Sequence, residues 1–497
     1  MSKKKKSATP RTVNISILES ALQRYQPLLS FSEYGQLVAE LQKPLTPAIR
    51  INTLKNDPIR MVESLRTMYG WEMEPVPFCP AGFRVHPNQN SISTTIEHRM
   101  GSYYIQDSAS MLPAELFDFS GSEQPIILDL AASPGGKTTH LIDLSGDKGL
   151  VVANDSSRTR LKALQTVLQK WGTLNQAVTC YPGERFGDWF PEIFDLVLLD
   201  APCSMQGLRS SESHPIRPIT DHERQRLVQR QQLLLKSALK STRVGGQVVY
   251  ATCTLAPEED EGVIAALLQQ YPKTFEVTDI CKKLPLSAPG LTSYNSIPYP
   301  QELSNTLRLW PHLLHTAGFF SARLTKTTSF HETSKPYPQF DLHQAGFNRV
   351  NSKKYQEFVT IIQSVYGFNL DKLINELNLS LWSRDTDLYL LPESLINNFP
   401  SLRLTSLGML IGKVTGNEFL PSHEFVARFG QEFGSGKIML ENEFLCAWLR
   451  GEDIRGYSIK QPASARIVVV MDQIGRNLGR GKILANQLKN LLPNRIF

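Results

Sequence analysis

Cys203, in VLLDAPCSMQG (197–207), and Cys253, in VVYATCTLAPEEDE (248–261), each close an apolar strand pattern and precede turn-forming residues. A thiolate is a strong nucleophile near neutral pH and departs readily afterwards, so a thiol at a strand end can add to an electrophilic carbon and later leave it. Asp200 lies just ahead of the first thiol, so a carboxylate shares its loop. The other cysteines, Cys79, Cys180, Cys281 and Cys446, are scattered, and no C-x-x-C pair occurs. That spacing argues against a disulfide framework and against zinc, and no metal is expected. A lone cysteine is ordinarily a small hydrophobe, so the functional reading has to come from context.

The context begins at LAASPGGKTT (130–139), where Gly135 and Gly136 let the backbone approach a ligand closely at the start of a helix. The loop is neither G-x-G-x-x-G nor G-x-x-x-x-G-K-[ST], so neither a dinucleotide nor a nucleoside triphosphate is favoured. Asp155 closes the next strand about twenty residues on, where a carboxylate can accept hydrogen bonds from both hydroxyls of a ribose. A nucleoside cofactor without a pyrophosphate fits that pair, and S-adenosylmethionine is the common one. Beside a methyl donor, two thiols suggest one reaction. C5 of cytosine is a poor nucleophile until something adds to C6, and a second group must then help remove the C5 proton so that the adduct can eliminate.

The middle third of the chain alternates strand and helix patterns with short connections, which predicts a parallel, doubly wound α/β sheet. PIILDLA, GLVVAND, QAVTCY, FDLVLLDAP, QVVYATCT and GFFSARLTK are the strands. KTTHLIDLSG, SSRTRLKALQTVLQKWG (capped by Ser156 or Ser157 and ended by Gly172) and a long segment from Asp221 are helices. Ligands bind such sheets at the carboxyl ends of the strands, so Asp155, Asp200, Cys203 and Cys253 are expected to converge on one cleft. Residues 1–115 read as a mixed helical and strand region with a basic arm, and 116–326 as the sheet domain. Residues 327–352 are polar without a lasting period and read as a linker, and 353–497 as a small β-rich module in which FLPSHEFVARF is a strand.

At 497 residues, 41% hydrophobic and 20% charged, the chain is expected to hold two or three globular domains. No run approaches the eighteen or so apolar residues of a spanning helix, and the N-terminal segment lacks a signal peptide's apolar core, so a cytoplasmic location is expected. Net charge is +6, and it is concentrated at the ends. Lys3, Lys4, Lys5, Lys6 and Arg11 precede any acid, and Arg476, Arg480, Lys482, Lys489 and Arg495 follow the last one, Asp472. The distribution fits a polyanionic partner, with solubility tails as the plainer alternative.

LDLAASPGGKTT, LLDAPCS and YATCT together resemble the methyl-donor loop, Pro-Cys motif and Thr-Cys motif of RNA cytosine-5 methyltransferases, in the family's order and spacing. KPLTPAIRINTLK (43–55), YYIQDSASMLP (103–113) and LRLWPHLLHTAGFFSARL (307–324) look like further family segments. LNLSLWSRDTDLYLLP and SLRLTSLGMLIGKV are similar to the bacterial small-subunit ribosomal RNA cytosine-5 methyltransferase F group, whose C-terminal module is PUA-like. The resemblance implies a Rossmann-like methyltransferase sheet in which Cys253 is the nucleophile, Cys203 assists product release and Asp200 contacts the cytosine near N3. It implies that Ala131, Ala132, Ser133, Pro134, Gly135, Gly136 and Lys137, with Asp155 and Asp200, hold S-adenosylmethionine, and that Lys137 also belongs to the catalytic group. A DNA cytosine-5 enzyme would attack from the Pro-Cys thiol instead.

Some positions depart from the family pattern. Ser133-Pro134 stands where Pro-Gly is usual, Met205 and Gln206 stand where a Gly and then a Gly, Thr or Glu are typical, RSSESHP (209–215) replaces an Arg-rich stretch, and Pro182 takes the place of an acid, with Glu184 nearby. His312 and His315 lack a metal-type partner set and read as packing or capping residues. PEEDE (257–261) reads as acids favoured in a helix's first turn. The expected activity is methylation of small-subunit ribosomal RNA by a monomer. The same chemistry on transfer RNA, or an RNA-binding ribosome-assembly factor without turnover, are the alternatives.

Overall fold

Among the described residues, seven strands form the body of a nine-stranded central sheet: Ile126–Asp129 (β1), Leu150–Asn154 (β2), Gln176–Thr179 (β3), Phe194–Asp200 (β4), Thr242–Thr252 (β5), Phe275–Thr278 (β6) and Phe319–Lys326 (β7), with Leu307–Leu309 and Ser406–Leu407 added to β7 and β3. In the computed structural model, which describes residues 22–88, 91–209, 218–330, 335–416, 418–456 and 465–493, they lie in the order β6-β7-β5-β4-β1-β2-β3. The basic arm from Lys3 to Arg11, and Arg495, fall outside the described residues. Among these seven only β7 runs against its neighbours. β2 and β3 are buried at every position, as expected of strands covered on both faces.

Gly136–Leu144 (α1) and Arg158–Trp171 (α2) cover one face, where Leu141, Ile142, Leu161, Leu164 and Leu168 pack on Val151 and Ala153. Asp221–Ser241 (α3) and Glu261–Gln270 (α4) cover the other, through Leu234, Leu235, Ala238, Val263 and Ile264. Gly172 closes α2 at φ 84°, as the sequence suggests. Ser157 occupies the N-cap of α2, but its side chain caps nothing; its hydroxyl meets Thr159 at 2.9 Å. The rule that serines cap helices loses here to Asp155, whose carboxylate accepts from the Ser157 amide at 2.8 Å.

A four-stranded antiparallel sheet precedes this core, with Ala48–Ile51 between Cys79–His86 and Tyr103–Ile105. Arg50 pins it down: the fully buried guanidinium pairs with Asp143, donates to the Gly136 carbonyl at 3.0 Å and lies 4.8 Å over the Trp171 ring. Beyond β7, two five-stranded sheets complete the molecule. The polar segment before them is largely exposed but anchored at two points, since Leu342 and Phe347 are buried against Trp382 and Leu391, and Asn348–Arg349 is a short strand.

FLPSHEFVARF is not one strand. Glu418–Pro421 is extended, and His423–Phe429 is a helix whose N-cap, Ser422, accepts from the Phe425 amide at 3.0 Å. Phe425, Val426 and Phe429 then fall on one buried face at helical spacing. Ser406–Leu407 pairs with β3, so the C-terminal region extends the central sheet. Among the described residues no helix is long and apolar enough to cross a membrane.

Candidate active site

β4 and β5 are parallel neighbours, with Asp200 opposite Ala251, so the loops that follow them emerge side by side. That register brings Cys203 Sγ within 3.3 Å of Cys253 Sγ although the two are 50 residues apart. Hydrogen bonding to Cys253, and then burial, push the Cys203 thiol well up from its ordinary value. Cys203 therefore keeps its proton and can donate it toward Cys253.

Lys137 enters from the first turn of α1, and its Nζ lies 2.7 Å from Asp200 Oδ2. Burial would lower the ammonium's pKa, but the charge and hydrogen bond of Asp200 outweigh it, with Cys253 adding to the rise. Lys137, Asp200, Cys203 and Cys253 thus meet at the carboxyl ends of β1, β4 and β5.

The loop from Ala131 to Gly135 lies between the ends of β1 and β2. Ala132 donates to the Asn154 carbonyl at 2.7 Å, and Ser133 to Asp155 Oδ2 at 3.3 Å. Two buried oxygens here, Ser133 Oγ and Asp129 Oδ1, have no protein partner among the described residues. Burial raises the Asp129 carboxyl to about 7, although Thr138 Oγ1 donates to it at 2.7 Å. The glycines also have a packing reason. A Cβ at Gly135, where φ is +113°, would stand 3.0 Å from Leu164, and one at Gly136 would stand 2.8 Å from the Tyr104 ring.

The acids of PEEDE are not a solvated helix start. Glu259, Asp260 and Glu261 are all 0% exposed, which requires charge partners and not merely a helix dipole. Glu259 meets Arg224 at 3.0 Å, and Arg308 pairs with both Asp260 and Glu261. Thr252, next to Cys253, donates to Asp260 at 2.6 Å. Arg224, Gln231 and Arg308, the partners of these acids, are residues that the motifs did not reveal. The available signal was weak: Arg224 and Gln231 share a helical face with the apolar Leu234 and Leu235.

The departures have structural counterparts. Met205 adopts φ 57°, so the left-handed turn that favours glycine is retained without one. Gln206 Oε1 accepts from Arg224 at 3.0 Å. Glu184 is engaged by Arg230 at 3.1 Å. His315 Nδ1 lies 3.0 Å from Glu40, a structural ion-pair position, and both ring nitrogens of His312 are buried without a hydrogen bond.

A family model for the 16S rRNA methyltransferase RsmB/F matches residues 118–325, and one for the N-terminal domain of 16S rRNA methyltransferase RsmF matches residues 19–108. Ribosomal RNA small subunit methyltransferase F of Erwinia tasmaniensis is 31% identical over 481 residues, covering 95% of each chain. The protein of that name from Shewanella piezotolerans is 32% identical over 454 residues, covering 91% of each. The crystal structure of a methyltransferase homologue from Pyrococcus horikoshii, 31% identical, superposes with a TM-score of 0.54 over 64% of this chain and 100% of its own.

Proposed function

Because the chain belongs to the ribosomal RNA small subunit methyltransferase F family, we propose that it methylates C5 of a cytosine in small-subunit ribosomal RNA, using S-adenosyl-L-methionine. The observation that carries the finer part of this reading is the 3.3 Å approach of Cys203 to Cys253 beside the Lys137–Asp200 pair. Half-buried thiols with no chemistry to do have no need of an ammonium and a carboxylate at the same strand ends.

The residues present fit the cofactor. A carboxylate offers about four lone-pair sites; Asp155 accepts from the Ser133 and Ser157 amides and lies 3.5 Å from the Arg160 guanidinium, which leaves acceptor capacity toward a ribose hydroxyl. Ser133 Oγ and Asp129 Oδ1 are unpartnered polar atoms beside the same loop, which Ala131, Ala132, Pro134, Gly135, Gly136 and Lys137 complete. When bound, S-adenosylmethionine supplies an electrophilic methyl group.

Cys253 Sγ, as the thiolate, adds to C6 of the cytosine, and the electron pair of the C5–C6 double bond moves toward C5 and N3. Asp200, on taking a proton from the Lys137 ammonium beside it, can donate to N3 and stabilise the charge building there, and returns that proton to Lys137 when the double bond is rebuilt. Once C5 carries its methyl group, the proton at C5 must leave. Cys203 now differs from its resting state, because the sulfur that held its proton has become a thioether, and that hydrogen bond was the largest cause of its raised pKa. Cys203 loses its proton to water, accepts the one from C5, and the electrons of that C–H bond rebuild the double bond as the Cys253 thiolate departs. The net change is one methyl gained by the base and one proton released to solvent.

The same reading assigns residues 116–326 to catalysis and residues 1–115 and 353–497 to RNA binding, in a cytoplasmic monomer. Bisulfite sequencing of small-subunit ribosomal RNA tests it. One protected cytosine should disappear when the gene is deleted, and should return with the wild-type protein but not with Cys253→Ala. An unchanged pattern in the deletion strain overturns the assignment.

A further inference from the structure

The two thiol loops are joined by more than sulfur. Ser204, next to Cys203, and Thr254, next to Cys253, bring their buried hydroxyls to 3.1 Å. Glu259 then spans the gap from the Cys253 side. Its Oε2 accepts from the Ser204 amide at 2.9 Å and from Gln231 Nε2 at 3.1 Å, and its Oε1 accepts from Arg224 at 3.0 Å. The other arm of Arg224 holds the side chain of Gln206 in the Cys203 loop at 3.0 Å. The Glu259 amide is itself tied back to the Ala256 carbonyl at 2.9 Å, so the carboxylate has little freedom to drift.

We infer that Glu259 is a positioning residue, which sets the separation and heading of the Cys203 and Cys253 thiols by holding the backbone beside Cys203 from the segment that follows Cys253. The inference rests on the roles given above to the two cysteines. It makes reach, and not charge alone, the property that matters. Glutamine keeps an oxygen at the same distance, whereas aspartate keeps the charge but withdraws the acceptor from the Ser204 amide by one methylene.

The test reads thiol geometry apart from catalysis. Full-length protein is equilibrated with oxidised and reduced glutathione, so that two thiols and one glutathione disulfide give one protein disulfide and two reduced glutathiones. Mass spectrometry of the Cys203–Cys253 peptide pair gives the equilibrium constant and hence the thiols' effective concentration. Glu259→Gln is expected to stay within about threefold of wild type and Glu259→Asp to fall at least about tenfold, with kcat falling alongside and KM for RNA unchanged. An aspartate variant equal to wild type, or a glutamine variant worse than aspartate, overturns the proposal and leaves Glu259 as a charge partner for Arg224.

If neither variant folds, the Glu259→Met, Arg224→Met double variant replaces the buried pair with apolar side chains and lacks the acceptor. Wild-type effective concentration in that protein likewise overturns the proposal, and a loss supports it. Should the equilibrium follow the expected order while no protein methylates RNA, the functional reading fails and the positioning role stands.

Discussion

Cys203 Sγ and Cys253 Sγ lie 3.3 Å apart, and hydrogen bonding to Cys253, with burial, holds the Cys203 thiol well above its ordinary value. That asymmetry separates their roles. Cys253→Ala should abolish methylation and form no covalent complex, whereas Cys203→Ala should attack and methylate but stall as the adduct. Denaturing gels of each variant with RNA and S-adenosylmethionine would show a nuclease-sensitive shifted band for Cys203→Ala only. A band in Cys253→Ala alone would reverse the assignment.

Asp155 accepts from the Ser133 and Ser157 amides and faces the Arg160 guanidinium at 3.5 Å, with acceptor capacity left for a ligand. Removing the ribose acceptor should cost about 1–3 kcal/mol, or roughly 5–150-fold in S-adenosylmethionine affinity for Asp155→Ala. Calorimetry measures it. Undiminished affinity would detach this carboxylate from the ribose.

The strands, and the cluster of reactive groups at their ends, were legible because both depend on local pattern. A run such as FDLVLLDAP announces a buried strand, and topology then puts the residue after it in the cleft. PEEDE was misleading for the same reason. Acids at a helix start look alike whether water or Arg308, 47 residues beyond Glu261, neutralises them, and only the fold brings that partner near. HEFVARF carries alternating apolar residues and a helical face at once, and the Ser422 cap decides between them. The pairing of Ser406–Leu407 with β3 leaves no mark on so short a segment.

The Cys203 loop carries a testable contrast between two neighbours. Met205, at φ 57°, bears a left-handed strain of about 1–2 kcal/mol, and glycine there loses about 0.5–1 kcal/mol in chain entropy. Met205→Gly should therefore stabilise the protein by up to about 1 kcal/mol. Gly207→Ala should do the reverse, because a Cβ there would lie 2.4 Å from the Gly318 carbonyl oxygen and 2.9 Å from that of Cys253. Overpacking of that kind destabilises by about 1–3 kcal/mol. Urea midpoints that move the other way would remove the steric account of this loop.

The N-terminal run of four lysines, Lys3 to Lys6, with Arg11 behind it, should contact RNA phosphates. Deleting residues 1–11 should then flatten the plot of log affinity against log salt by about 0.7–0.9 for each phosphate the protein no longer neutralises. An unchanged slope would make the run a solubility tail.

Asp129 gives the stability a pH dependence that one substitution can isolate. Burial raises its carboxyl to about 7, against about 3.9 in an unfolded chain. Between those values the folded protein holds a proton that the unfolded chain has released, so folding loses stability as pH rises through the window, and the loss is complete once both states are ionised above it. Roughly three units at about 1.36 kcal/mol each put the ceiling near 4 kcal/mol. Asp129→Asn does not titrate, so relative to wild type it should gain stability steadily from about pH 4 to about pH 7 and hold that gain at higher pH. Asp143 and Asp147, raised by burial to about 6, titrate in both proteins and cancel in the difference. Urea denaturation at acid and alkaline pH measures that difference. A gap between the two proteins that is the same at both ends would mean that Asp129 is already ionised in the folded state at low pH, and that its buried, unpartnered oxygen is satisfied by some other means.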